Sequence, residues 1–237
     1  MSNLITGLPG YPSGNQTWAP RKIRRGNEPP KYLDGGVTIK GSVSRDPTNT
    51  GYVNVLQPGK IMVKEASGGL YRPFIIGKTT AAYADNDTTL TVSAATATEI
   101  GRLLAVTGAA LDLAFIGPPT AAGTVAATNI SITAVASATT VTIADLNLNK
   151  VTDSLIALRA ASYTPGSFCL IDDDDYTRVT DEDGNNINVW LPRPLIGGTI
   201  KTSQLLDWPA DTSTVTYLKG LLNSGVGGYG FTFDDAF

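Results

Sequence analysis

A chain of 237 residues, 42% hydrophobic and 16% charged, is long enough for one large or two small cored domains, and its charged content is well below the usual quarter. A net charge of −3 without a single histidine excludes Ser-His-Asp and Cys-His nucleophiles and imidazole zinc sites. One cysteine, Cys169, rules out an internal disulfide, no run of about 20 apolar residues marks a membrane helix, and the N-terminus lacks the basic and apolar regions of a signal peptide.

Residues 1–55 read as an extended arm. Prolines at 9, 12, 20, 29, 30 and 47, interspersed with glycines, forbid a long helix. Tyr11, Trp18, Tyr32 and Leu33 are not the residues of a solvated linker. The arm is therefore expected to order against a surface with its aromatics as anchors, and that surface is either a neighbour or the chain's own domain. Arg21, Lys22, Arg24 and Arg25 form a basic cluster that suits acidic protein surface better than nucleic acid, since only one aromatic stands nearby. Charge is uneven along the chain: residues 1–50 hold seven Lys+Arg against three Asp+Glu, and residues 172–237 hold four against eleven. A basic leader and an acidic trailing third fit head-to-tail contact between subunits or with a charged partner. Short strands are expected at 37–41 and 51–56.

Pro58-Gly59 predicts a turn. After it, Ile61 and Val63 alternate with Lys60, Met62 and Lys64, the period of a half-buried strand. Ala66-Ser-Gly-Gly69 breaks that strand and residues 71–76 begin another, which makes a hairpin. Residues 79–150 turn Ala- and Thr-rich with few charges. They predict a strand at 88–92, a helix over 94–106 capped by Ser93 with Ile100, Leu103 and Leu104 on one face, and strands at 111–116, 124–135 and 139–143. This reads as an inserted small α+β lobe. Strong β signals return over 151–204. A strand at 154–159, a Pro165-Gly166 turn and a strand at 168–171 are followed by an Asp183-Gly184 hairpin between 176–180 and 186–191. Residues 56–78 and 151–204 are paired as one β-domain. Residues 205–237 form a docking tail with an apolar stretch at 215–222, then Tyr229, Phe231, Phe233 and Phe237, aromatics expected to find cover on their own domain or on a neighbour.

Chemical motifs fail when tested. Gly77-Lys-Thr79 ends like a P-loop, but the leading glycine falls on Arg72; Gly225-Val-Gly-Gly-Tyr-Gly230 matches a dinucleotide fingerprint only in letters, with no helix to follow. Residues 172–175 are four aspartates that a Ca²⁺ would relieve, yet in a strand they face alternate ways, and a solvated loop or a basic partner is the better reading. A two-carboxylate glycosidase is disfavoured because the aspartates bunch in one stretch. No enzyme activity, metal or cofactor is expected.

A proline-rich arm leading into Leu56-Gln-Pro-Gly-Lys-Ile-Met-Val-Lys64 and Tyr71-Arg-Pro-Phe-Ile-Ile-Gly77, then an Ala/Thr-rich insertion with Gly117-Pro-Pro-Thr-Ala-Ala-Gly-Thr124 and a closing β-segment, resembles the capsid decoration (cement) proteins of tailed bacteriophages, the lambda-type head-decoration group. The resemblance covers residues 50–204 by pattern. It implies a mainly β chain with a β-tulip-like domain, carried as a homotrimer on the outside of an icosahedral head and stabilising the expanded shell. In that setting Trp18, Arg21, Lys22, Arg24, Arg25 and Tyr32 are the expected contacts with the major capsid protein, and Tyr229, Phe231, Phe233 and Phe237 the expected contacts between subunits. Assembly in the host cytoplasm, residence on the virion surface, and no direct dealing with nucleic acid or membrane complete the expectation. Two rivals stand beside it: a head-fibre or tail-adhesin subunit, and a non-catalytic Ca²⁺- or carbohydrate-binding β-module.

Overall fold

A computed structural model of the protein describes residues 21–25, 29–117, 125–144, 146, 149–150, 152–173, 175–224 and 230–235. The chain is mainly β. In order, its elements are β1 (Lys31–Tyr32), β2 (Val37–Ile39), β3 (Val55–Leu56), β4 (Ile61–Lys64), β5 (Tyr71–Pro73), β6 (Ile75–Lys78), β7 (Thr89–Thr91) and α1 (Ala94–Thr107). There follow β8 (Leu111–Gly117), β9 (Ala126–Ser137), β10 (Thr140–Ile143), β11 (Leu155–Leu158), β12 (Cys169–Leu170), β13 (Thr177–Arg178), β14 (Val189–Leu191), β15 (Leu195–Lys201), α2 (Thr212–Leu222) and β16 (Phe231–Asp234).

The hairpin predicted around residues 61–76 is present: β4 and β5 pair antiparallel, with Val63 opposite Arg72. It is the middle of an eight-stranded sheet ordered β1-β15-β12-β4-β5-β2-β14, with β16 added beside β15. That sheet has to curl. Laid flat, five strand spacings of about 4.8 Å would part β1 from β2 by about 24 Å, whereas the five residue steps from Tyr32 to Val37 span about 18 Å at most. Curling gives the sheet an inside, filled by Val37, Ile39, Leu56, Met62, Tyr71, Cys169, Ile171, Val179 and Leu191. Met62 is fully buried there while Ile61 and Val63 are buried on the opposite face, so β4 is covered on both sides rather than half-exposed as its alternation suggested. Burial in this interior pushes the Cys169 thiol up, well away from a reactive thiolate, and raises the Tyr71 phenol to about 12.

The second sheet, ordered β6-β11-β8-β9-β10-β7, is built by residues on both sides of the supposed insertion boundary. β6 and β11 pair with each other, β11 pairs with β8, and one apolar core runs from Ile61 and Leu195 through Phe115, Ile132 and Leu103. Residues 79–150 thus extend a sheet that 75–78 and 155–158 begin. Phe74 is the joint. Its N–H donates to Ile61 O on the first sheet, its C=O accepts from Leu158 N on the second, and its buried ring meets Phe168 and Tyr163 edge-on at 5.1 and 5.5 Å.

Helix α1 forms where Ser93 predicted it, the Ser93 Oγ accepting from Thr96 N at 3.1 Å, and it buries Ile100 and Leu103 as expected. It lies close enough to β6 that a Cβ on Gly77 would stand 2.4 Å from Thr96 Cγ2, so only glycine fits. Ser93→Ala, which orphans that helix amide, is expected to cost about 1 kcal/mol in urea unfolding. The Asp183-Gly184 turn is also present, with Asp181 N donating to Asn185 O and Ile187 N to Val179 O. Its arms then separate: β13 pairs with β3, and β14 with β2. Helix α2 was read from sequence only as an apolar stretch; Asp211 caps it by accepting from Thr214 N at 2.6 Å, and Thr214, Leu218 and Leu222 give it a buried face.

Candidate functional site

Residues 21–25 and 29–32 are held to the rest of the chain by many directed contacts. Residues 23–25 lie antiparallel to 199–201, with Lys201 N donating to Ile23 O at 2.8 Å and Arg25 N to Thr199 O at 2.9 Å. Farther on, Lys31 pairs with Gly197 and Tyr32 with Leu195. Between these two grips Pro29 and Pro30 pass over Gly198, whose φ of +123° suits glycine and whose missing Cβ would lie 3.5 Å from Pro30 Cα. The Ile23 side chain is fully buried in the main core.

Side chains complete the clamp. Both Ile23 N and Arg24 N donate to Asp173 Oδ1, at 2.6 and 3.2 Å, and Arg24 Nε donates to Asp173 Oδ2 at 3.1 Å. Asp172 Oδ1 stands 3.0 Å from the same Nε but lacks hydrogen-bond geometry, so charge rather than a directed bond holds it. Tyr32 Oη donates to Asp172 Oδ2 at 2.6 Å, and the Arg193 guanidinium sits 4.4 Å from the Tyr32 ring centroid. Arg21 donates twice to Gln204 O, at 3.0 and 2.8 Å, and Arg25 Nη1 pairs with Asp234 Oδ2 of β16 at 2.5 Å. Burial alone would lower the Arg24 pKa, but Asp172 and Asp173 outweigh it and hold the guanidinium above its usual value. Burial, and then the hydrogen bond and charge of Asp172, raise the Tyr32 phenol.

The basic leader and the acidic run that the charge profile set apart therefore meet inside one chain. Of the residues expected to touch a capsid, Arg21, Arg24, Arg25 and Tyr32 make these contacts to their own body, Lys22 is exposed, and Trp18 lies outside the described residues. Asp172 and Asp173 are engaged by Arg24 and Tyr32, and Asp174 lies outside the described residues.

The tail likewise turns inward. Phe231 is buried in the main core, with its N–H donating to Asn223 Oδ1 at 2.7 Å and its C=O accepting from Asn223 Nδ2 at 3.1 Å. Phe233 stacks on Trp208 with centroids 5.9 Å apart and lies under the Lys219 ammonium. β16 runs parallel to β15 from Gly198 to Lys201. Phe231 and Phe233 thus find their cover on their own chain, while Tyr229 and Phe237 lie outside the described residues, as do residues 118–124 of the Gly117-Pro-Pro motif.

The chain matches no family model, no curated protein and no solved structure.

A second surface stands apart from the clamp. Trp190 on β14 is 63% exposed, its indole N–H donating to Gly35 O at 3.3 Å, beside a groove of about 420 Å³ lined by Leu33, Gly36, Val37, Lys64 and Tyr71. β14 is the end strand of its sheet among the described residues, and exposed Ile187 precedes it. From sequence, Trp190 reads as a member of a hairpin arm and, with Tyr176, as one of the few aromatics near the aspartates suited to stack on a sugar.

Another feature was not anticipated at all. Lys60, read as the exposed member of an alternating strand, is 1% exposed, with Asp207 Oδ2 at 2.7 Å and Asp46 Oδ1 at 3.2 Å from its ammonium. Burial disfavours the charged amine, but Asp207 and Asp46 more than compensate and raise its pKa. No local pattern announces such a cluster, because Lys60 and Asp207 lie 147 positions apart.

Proposed function

We propose that the chain is a structural capsid decoration protein that binds the outside of an expanded phage head as a homotrimer, with a β-tulip-like body and residues 1–20 as the reaching arm. The observation that supports this reading is the clamp on residues 21–25 and 29–32. A strap that ties one protein to another is only as strong as its fixed end, and here the fixed end is gripped by main-chain bonds to 199–201, by Arg24 on Asp172 and Asp173, and by Tyr32 on Asp172. Load along the arm is shared by bonds that must fail together, and spreads through β15 into the sheet. In this reading the basic cluster anchors, and attachment falls to Trp18 and its proline-rich surroundings, which would add a strand or an aromatic anchor to the major capsid protein. Several such straps per trimer multiply through avidity.

The test is binding of purified protein to empty expanded heads. Deleting residues 1–20 is expected to abolish attachment while leaving the urea unfolding curve unchanged, because the clamp is retained. Trp18→Ala is expected to weaken attachment about 30-fold, the loss of a typical hot-spot aromatic. Wild-type protein that ignores expanded heads, or truncated protein that binds them equally well, would overturn the proposal. Copy number in virions separates it from a fibre or adhesin: a decoration protein approaches the abundance of the capsid protein, and an adhesin does not.

A further inference from the structure

The Lys60 cluster carries more chemistry than an ion pair requires. We propose that Lys60 and Asp207 join through an intramolecular isopeptide bond, formed by the chain itself with Asp46 as the catalytic carboxylate.

The two reacting groups are fixed in place. Lys60 is held by its C=O, which accepts from Ile171 N, and Asp207 by its neighbour Leu206, whose N–H donates to Gly59 O at 3.2 Å. Asp207 sits at φ +59°, a left-handed conformation that aspartate adopts more readily than most residues. The side chains of Lys60, Asp46 and Asp207 are 2%, 0% and 8% exposed, so water is excluded from around the amine.

The two aspartates differ in a way that assigns their roles. Asp46 accepts from Thr48 N and Oγ1 and from Gln57 N and Nε2 as well as from Lys60, and these five donors fix its carboxyl group in place beside the amine. Asp207 accepts from Lys60 alone among the described residues. With no other donor holding it, Asp207 is the carboxyl group placed to react with the amine, and Asp46 the one fixed beside it.

The resting cluster is an ammonium between two carboxylates. Moving one proton from Lys60 Nζ to Asp207 Oδ2, along the 2.7 Å contact, gives a free amine beside a neutral carboxylic acid without changing the charge of the cluster. The amine lone pair then attacks Asp207 Cγ; a C–N bond forms and the carbonyl π pair moves onto oxygen. Asp46, 3.2 Å from Nζ, accepts a proton from the now cationic nitrogen and passes it to the Cγ hydroxyl, which leaves as water while the C=O re-forms. Asp46 ends as the carboxylate it began as. One water is lost, nothing is oxidised or reduced, and no co-reactant is needed. Amide formation is unfavourable between free groups in water; fixed neighbours in a dry site gain the effective concentration of an intramolecular reaction, and the expelled water escapes to solvent.

The experiment is mass analysis of the full-length protein after prolonged incubation at neutral pH. The expected chain is lighter by one water, and trypsin fails to cut after Lys60, yielding a branched peptide that joins residue 60 to residue 207. Asp46→Asn, which keeps the side-chain shape, is expected to fold with an unchanged circular dichroism spectrum, stay at full mass and be cut after Lys60. Asp207→Asn is expected to lose one ammonia in place of one water, a signature that no purely structural role produces. Wild-type protein at full mass with normal cleavage after Lys60 would overturn the proposal. So would a water loss located entirely at Asp183-Gly184, where a succinimide forms by a different route.

Discussion

Lys60→Met is expected to destabilise the protein by about 3–5 kcal/mol, the range for removing one partner from a buried ion pair. Methionine fills nearly the same volume, so the loss is electrostatic rather than a packing defect. It leaves Asp46 and Asp207 facing each other without a cation, in a place where the lysine is 1% exposed and Asp46 is 0% exposed. Asp46 keeps its bonds to Thr48 and Gln57, but its charge loses its counter-charge. Replacing Lys60 together with both aspartates by apolar residues is expected to recover part of the loss, because the desolvation penalty disappears with the charges. The midpoint of urea unfolding at neutral pH measures both. Where Lys60 and Asp207 are joined covalently, methionine instead removes a cross-link, and the midpoint falls for that reason. A midpoint unchanged by Lys60→Met would mean that the cluster contributes nothing to stability.

Phe74→Ala is expected to cost about 3–5 kcal/mol as well, by a different mechanism: a large ring leaves a cavity that rigid β-structure cannot collapse into. The two edge-on contacts, with Phe168 and Tyr163, add about 1 kcal/mol each to what the lost apolar area accounts for. The form of the transition is as informative as its midpoint. Because the Phe74 main chain bonds to Ile61 on one sheet and Leu158 on the other, and one core runs through both, the variant should still unfold in a single transition at lower urea. Two separated transitions, with the sheet of residues 75–158 melting by itself, would show that the sheets are independent units.

What the sequence discloses follows the range of the interactions involved. Elements set by neighbours within a few positions were readable: the turn at Pro58-Gly59 ahead of β4, the Ser93 cap of α1, and the Asp183-Gly184 turn each rest on local chemistry, and each is present. Helix α2 was legible too, had the Asp211 cap been read together with the spacing of Thr214, Leu218 and Leu222. Long-range pairing was not. The alternation of β4 says that Ile61 and Val63 share a face, but nothing local says that Met62 has a second interior to enter, because that interior exists only once the sheet has curled. The same holds for the join between β11 and β8, which makes residues 79–150 continuous with the strands around them. For the candidate site, the charge profile marked a basic and an acidic segment as complementary but assigned their contact to a second subunit or a charged partner, whereas Arg24 and Arg25 meet Asp172, Asp173 and Asp234 within one chain; a charge sum contains no geometry.

The clamp on the arm also imposes an order of events. Arg24 needs Asp172 and Asp173, Arg21 needs Gln204, and Arg25 needs Asp234, so the grip on residues 21–25 draws on the far end of the polypeptide. During synthesis residues 21–25 leave the ribosome well before the residues that grip them, and their seat is complete only when β15 and β16 have been made. A product interrupted before residue 195 can still form the hairpin of β4 and β5, but its residues 21–25 lack their partners on β15 and β16, so the chain made earlier has to wait for the chain made later.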